Sequence, residues 1–232
     1  MDNIFGVLFG IIAISIPLLV IGSAVFLLLK LRSSSSVSIS YRIVLRVYFY
    51  IVLTISIVII SLGGLATLIN VGLGEAVDPQ FSYGNVYRDH SYELERIANN
   101  DQIEQDSESV RSLDEKLDLE KKSNLINGIS VTLIGFLILV AHLFGRRWVE
   151  TADESHDSLR KVYLIAGLSI FAVASITSLA SAIPEALRYV LLEVNQGEES
   201  PGMALSISLV SLPIWAYFLL NTIRTMRSSE VR

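Results

Sequence analysis

The sequence predicts an all-α fold: a polytopic membrane helical bundle with five transmembrane helices and a helical extracytoplasmic loop. Three observations carry that expectation. Five apolar runs, at 4–29, 44–71, 125–144, 162–183 and 204–223, each reach or exceed the roughly 20 residues that cross about 30 Å of hydrocarbon. Water-soluble helices keep a polar face, and these runs stay apolar on every side. Composition agrees, since 52% of residues are hydrophobic and only 18% charged, with a mean hydropathy of +0.55. Finally, lysines and arginines collect in alternate connections, as they do when a chain threads back and forth across a bilayer.

The first run is expected to be a retained anchor rather than a cleaved leader. Only Asp2 and Asn3 stand between Met1 and Ile4, so there is no basic leading region, and the run is longer than the roughly 7–15 apolar residues of a signal peptide. Lys30, Arg32, Arg42 and Arg46 follow it without an intervening acid. Between them, Ser33–Ser36 reads as a flexible linker. The third connection carries Arg146, Arg147, Arg160 and Lys161 beside Glu150, Asp153, Glu154 and Asp157, and the tail adds Arg224, Arg227 and Arg232. Asp2, the central loop, Glu193, Glu198 and Glu199 fall on the other side. Lys and Arg decide topology, so the N-terminus is expected outside and the C-terminus in the cytoplasm of a cell whose inner (plasma) membrane holds the chain.

The connection at 72–124 is the one sizeable aqueous part. Gly72 to Pro79 reads as a turn-rich exit from the membrane. Phe81, Tyr83, Tyr87 and Tyr92 follow, and their nearness to a membrane end suits the headgroup level, with a binding platform as the sharper reading. Helix is expected over 89–98 and 101–122, broken at Asn99-Asn100. Ile103, Val110 and Leu117 recur every seven residues with Leu113 between, a thin apolar stripe able to lie on a partner helix. Thirteen acids against six bases make this loop acidic, yet it lacks the alternating Asp pattern of a calcium loop.

An internal repeat organises the spans. Arg46-Val47-Tyr48 opens the second run and Lys161-Val162-Tyr163 the fourth. Ile14-Ser15-Ile16-Pro17 in the first is matched by Val210-Ser211-Leu212-Pro213 in the last. The chain therefore reads as A-B, A-B and a lone A, in parallel orientation rather than as an inverted repeat. Its divisions are 1–71 (first pair), 72–124 (loop), 125–192 (second pair) and 193–232 (final helix and basic tail). Arg-x-Tyr-aromatic-Tyr at 46–50, Leu-Pro-Ile-Trp at 212–215, and His142-x-x-x-Arg146-Arg147-Trp148 leading to Leu159-Arg160-Lys161-x-Tyr163 resemble a bacterial family of repeated two-helix membrane domains of unknown function. The resemblance implies architecture and brings no activity.

Chemistry-bearing residues are few. With no cysteine in the chain, disulfides, iron–sulfur clusters and thiolate zinc sites are excluded. His142 is the histidine nearest a span; it could hold one haem- or chlorophyll-type ligand, or be an interfacial residue beside Arg146 and Arg147. Glu185 and Arg188, three apart after Pro184, can share a helix face and pair; deep in the membrane they would mark a ligand or transport site. No metal ligand set, cofactor motif or catalytic constellation is expected, and nothing basic enough for nucleic acid. Small residues in the second run (Ser61, Gly63, Gly64, Ala66) and the fourth (Ala172, Ala174, Ser175, Ser178, Ala180, Ser181, Ala182) permit close helix approach. They place the B helices at the centre and turn the A helices to lipid.

The function expected from this is a non-enzymatic membrane subunit or scaffold. Its partners are the lipid bilayer and either further copies of itself or other subunits of a membrane complex. One alternative is an oligomeric transporter or channel lined by Ser169, Ser175, Thr177, Ser178 and Ser181. A second is a sensor that signals through a partner.

Overall fold

The computed structural model describes residues 41–98, 111–150, 158–192, 197 and 199–230, and every regular element among them is a helix. The span expected at 4–29, its Ile14–Pro17 motif, the Ser33–Ser36 linker, Asn99, Asn100, Ile103 and Val110 lie outside the described residues.

The second apolar run starts as α1 (Tyr41–Val58), widens into a π-helical segment (Ile59–Leu65) and continues as α2 (Ala66–Ala76). Gly63 and Gly64 fall inside the wide turns, where side-chain bulk would have to be accommodated. The expected turn-rich exit at 72–79 is much shorter than its glycines suggest. α2 keeps Gly72 and Gly74 helical, and only Val77 and Asp78 break the chain before α3 (Pro79–Ala98). Asp78 starts α3 by accepting the Gln80 N–H at 2.7 Å on its side chain and the Phe81 N–H at 3.0 Å on its carbonyl. Pro79 stands in the first turn, where its missing N–H costs nothing.

α4 (Leu113–Val149), α5 (Ser158–Leu191) and α6 (Gly202–Glu230) complete the described chain. The boundary expected at Leu125 between loop helix and span is absent, because Leu113 to Val149 is one 37-residue rod. Nothing from Lys116 to Leu125 breaks a helix, so the charged turns extend the apolar ones. Pro184 and Pro213 lie inside α5 and α6, as expected for prolines tolerated in membrane helices.

Four stretches are long and apolar enough to cross a membrane: Arg42–Ala76, Leu113–Val149, Leu159–Leu191 and Gly202–Arg227. The shortest has 26 residues, about 39 Å at about 1.5 Å per residue. The expectation that A helices turn to lipid fits only α4, of whose apolar window 11% is buried. For α6 the share is 28%, equal to that of both B helices.

Two compact units make up the chain. The first comprises Met1–Ile57, Leu137–Ile170 and Ala216–Arg232; the second Val58–Phe136 and Phe171–Trp215. In the first, Arg46, Tyr50, Leu53, Leu164 and Phe218 are buried. Gly145 leaves room for the Phe49 ring, and Gly167 for the Phe218 ring, which occupies the place of a side chain there.

In the second unit glycines bring helices together. A side chain on Gly64 would strike Thr132 of α4, one on Gly128 would meet Leu68 at 2.8 Å, and one on Gly135 would meet Ile60 at 2.6 Å. The small residues of the second run thus mate with α4, through Gly128 and Gly135. Gly74 lets the Tyr83 ring and Ser82 close on α2, and α3 bends at Tyr83 (φ −124°, ψ 31°) to reach it. Gly197 has φ +88° and approaches the Arg88 N–H and the Gly84 carbonyl of α3, a backbone geometry reserved for glycine. Ion pairs Lys121–Glu75 and Lys116–Glu93 tie the start of α4 to α2 and α3.

Candidate functional site

Buried polar groups gather at two places, one in each unit. In the first unit the focus is Glu150, which follows the last turn of α4 and donates its N–H to the Arg146 carbonyl at 2.9 Å. Its carboxylate accepts the Tyr50 hydroxyl at 2.8 Å and meets Arg46 at 3.7 Å and Arg146 at 3.1 Å. Arg46 is 2% exposed, so its charge would be prohibitive without a counter-ion. The Arg146 guanidinium also lies 5.3 Å from the centre of the Tyr50 ring, near enough for cation–π attraction. The aromatic chain continues from Tyr50 to Tyr163 at 5.1 Å and on to Phe218 at 5.7 Å, joining α1, α5 and α6.

This arrangement holds helices together. Two guanidinium groups share one carboxylate, and no histidine, nucleophile or second acid among the described side chains stands with them. Sequence reading missed the cluster. Arg46 and Tyr50 were seen as repeat-motif residues and Glu150 as one acid among four in a connection. Their spacing held a signal: Arg46 and Tyr50 sit four apart on one face of α1, as do Arg146 and Glu150 on α4.

His142 lies in the same unit. Its Nδ1 is 2.7 Å from the Ile138 carbonyl and its Nε2 is 3.1 Å from the Tyr48 hydroxyl. An N–H at Nδ1 donates to the carbonyl, and Nε2 then accepts from Tyr48, so both ring nitrogens are engaged. Phe49 packs edge-on against the ring at 6.0 Å. The interfacial role fits this geometry, and axial ligation would first require breaking the Tyr48 bond.

In the second unit the focus is a ladder of serines between α5 and α6. Ser175 donates to Ser211 at 2.9 Å, and Ser208 to Ser178 at 2.8 Å. Ser206 and Ser208 also reach back to the Gly202 and Ala204 carbonyls one turn earlier. All five serines are buried. Of the hydroxyls suggested as a pore lining, Ser175 and Ser178 are therefore spent between helices. Thr177 donates to the Val173 carbonyl of its own helix at 2.8 Å, and Ser169 and Ser181 are exposed on the outside of α5. Ser208 and Ser211 went unnoticed as partners, though a serine at every second or third position of 206–211 was visible in the sequence.

Glu185 and Arg188 do not form the expected pair. Arg188 instead reaches Glu199 at 3.2 Å, closing the connection between α5 and α6. Of the aromatic cluster, Phe81 and Tyr83 are buried; Phe81 stacks edge-on against Tyr189 at 5.3 Å. Tyr87 is half-buried and Tyr92 is 61% exposed, so the four do not share one exposed face. Burial raises the Tyr83 hydroxyl above the ordinary tyrosine pKa, with Glu120 and Glu75 adding to it. A shallow hollow of about 510 Å³ is lined by Asn85, Asp89, Arg111, Lys116, Glu120 and Ser123 between α3 and α4. Among the described residues no cluster of His, Asp and Glu could hold a metal ion.

Four apolar helices of spanning length define this chain as a helical membrane protein. No protein-family model matches it, and neither a curated protein nor a solved structure is significantly similar to it.

Proposed function

We propose that the chain is a non-enzymatic membrane subunit or scaffold, which packs with partner proteins or with copies of itself. The observation that carries this reading is that buried polar groups join helices to one another. Arg46 and Arg146 share the carboxylate of Glu150, and the buried serines of α5 and α6 bond to one another. A transporter or channel needs polar groups free to replace a solute's hydration; the hydroxyls of Ser175, Ser178, Ser208 and Ser211 are spent between helices, while Asn70 Oδ1, Tyr83 Oη and Thr132 Oγ1 are buried without a hydrogen-bond partner. On this reading the N-terminal run is a fifth transmembrane helix, the N-terminus and the 72–124 loop face outward, and the C-terminus lies in the cytoplasm. The Lys and Arg distribution supports that orientation, and the motif resemblance at 46–50, 142–163 and 212–215 supports a paired-helix repeat.

The test is gentle extraction from the native membrane followed by native mass spectrometry. A companion protein at fixed stoichiometry, or a defined oligomer that conducts no solute when reconstituted, is the expected result. Solute flux through the reconstituted protein alone would overturn the reading in favour of an oligomeric channel. A ligand-dependent change in companion binding, abolished by removing the 72–124 loop's exposed Tyr92, would instead favour a sensor.

A further inference from the structure

Among the described side chains of the first unit, guanidinium groups outnumber carboxylates. Among its described side chains Glu150 is the lone carboxylate, and it is occupied by Arg46, Arg146 and Tyr50. Arg42, Arg147, Arg224 and Arg227 are exposed and have no carboxylate within ion-pair distance among the described side chains. Contacts within the unit bring these to one end of the helices. Arg46, one turn after Arg42, meets Glu150, three residues after Arg147. Phe218, reached from Tyr50 through Tyr163, lies two turns before Arg224.

The surface beside these arginines is amphiphilic in depth. On α6, Tyr217, Leu220, Arg224 and Arg227 recur three or four apart and are all exposed, so they form one outward stripe. Seven residues separate Tyr217 from Arg224, about 10 Å along the helix. On α4, Leu137, Phe144 and Trp148 make a similar exposed line, and Trp148 is 88% exposed next to Arg147. On α4 apolar side chains are followed by an aromatic ring beside a guanidinium, which match, in order, an acyl chain, a glycerol interface and a phosphate; on α6 Tyr217 and Leu220 together supply the apolar part below Arg224 and Arg227.

We infer that this rim binds the headgroup phosphates of anionic phospholipids, with Arg147, Arg224 and Arg227 as the phosphate ligands and Trp148 at the glycerol level. The inference is independent of whether the chain has protein partners. Arginine suits the role because its fork meets phosphate oxygens in pairs. In the second unit Lys116, Lys121 and Arg188 are each paired to a carboxylate, and Lys122 pairs with Asp118 on the same helix.

The experiment is native mass spectrometry of the full chain reconstituted in equal parts phosphatidylglycerol and phosphatidylcholine. The wild type is expected to retain phosphatidylglycerol preferentially, and the preference should fall about fivefold for each arginine changed to glutamine. The Arg147→Gln/Arg224→Gln/Arg227→Gln variant should lose most of it, while the corresponding lysine variant keeps much of it and Lys122→Gln changes nothing. Circular dichroism checks that each variant is folded; should the glutamine variant fail to fold, the single substitutions carry the same graded expectation. Equal retention of both lipids by the wild type, or an undiminished preference in the glutamine variants, would overturn the inference. Displacement of the lipid by millimolar glycerol phosphate would also overturn it, by identifying the source of phosphate as a soluble anion.

Discussion

Around Glu150 the buried polar groups are ionic, whereas between α5 and α6 in the other unit they are neutral hydroxyls. Both sets join helices, but they differ in what happens when one member is lost. Removing one partner of a buried ion pair strands a charge, which costs about 3–5 kcal/mol. Removing a serine from a ladder strands at most a hydroxyl that can turn to a carbonyl of its own helix. Hydrogen bonds between membrane helices average only about 0.6 kcal/mol. Charge therefore makes a rigid, indispensable joint, and hydroxyls make a tolerant one.

The largest expected effect follows directly. Glu150→Gln should destabilise the fold by about 3–5 kcal/mol, because Arg46 stays buried without a counter-ion; Glu199→Gln, which releases the exposed Arg188, should cost no more than about 1 kcal/mol. Unfolding of both variants in a denaturing detergent titration checks the contrast, and equal losses would erase it.

Next in size come the glycines of the second unit. Gly64→Ala should cost about 1–3 kcal/mol by overpacking, since its methyl group would meet the Thr132 backbone as well as its side chain. Gly72→Ala, with nothing within 4 Å of the new methyl, should instead stabilise α2 by about 0.5–1 kcal/mol. The same titration should show the two changes moving the midpoint in opposite directions.

Smaller still, Ser208→Ala should cost about 0.6 kcal/mol, and Ser178→Ala combined with it should add less than the sum of the two single changes. A double-mutant cycle measures that coupling, and strict additivity would mean that the ladder bond contributes nothing.

The smallest effect concerns the Lys116–Glu93 pair. The hydrogen bond from Lys116, with its charge, lowers the Glu93 pKa below the ordinary carboxylate value. Its contribution is thus fully present above that ordinary value and is lost as the pH falls through the lowered one. The wild type should lose slightly more thermal stability than Glu93→Gln between pH 7 and pH 3, and parallel losses would remove the pair from the account.

What was legible in the sequence was whatever periodicity and length control. The four described spans and the helix within the acidic loop follow from apolar runs and boundary charges. Helix ends were less legible, because Lys116 to Asn124 is charged without being a helix breaker, and so α4 runs through the expected boundary. Contacts between distant segments were hidden altogether. Arg188 chose Glu199 over Glu185 because the turn at Gly197 folds Glu199 back towards it. Glu150 became the centre of a cluster because α1 and α4 run antiparallel there, and one-dimensional spacing shows no such pairing. Gly128 and Gly135 were passed over inside a run of leucines and isoleucines, although a seven-residue spacing keeps both on one face.

The central claim is that the hydroxyls of α5 and α6 close a dry interface and do not line a water path. The absence of cysteine from the chain makes the decisive measurement direct. Single cysteines at Ser175, Ser178, Ser208 and Ser211, with Tyr92→Cys as the exposed control, are treated with a membrane-impermeant maleimide in proteoliposomes that leave both faces accessible. The account predicts rapid labelling at 92 and none at the four serine positions. Labelling at the serines, at a rate near that of the control, would show a water-filled path between α5 and α6 and contradict it.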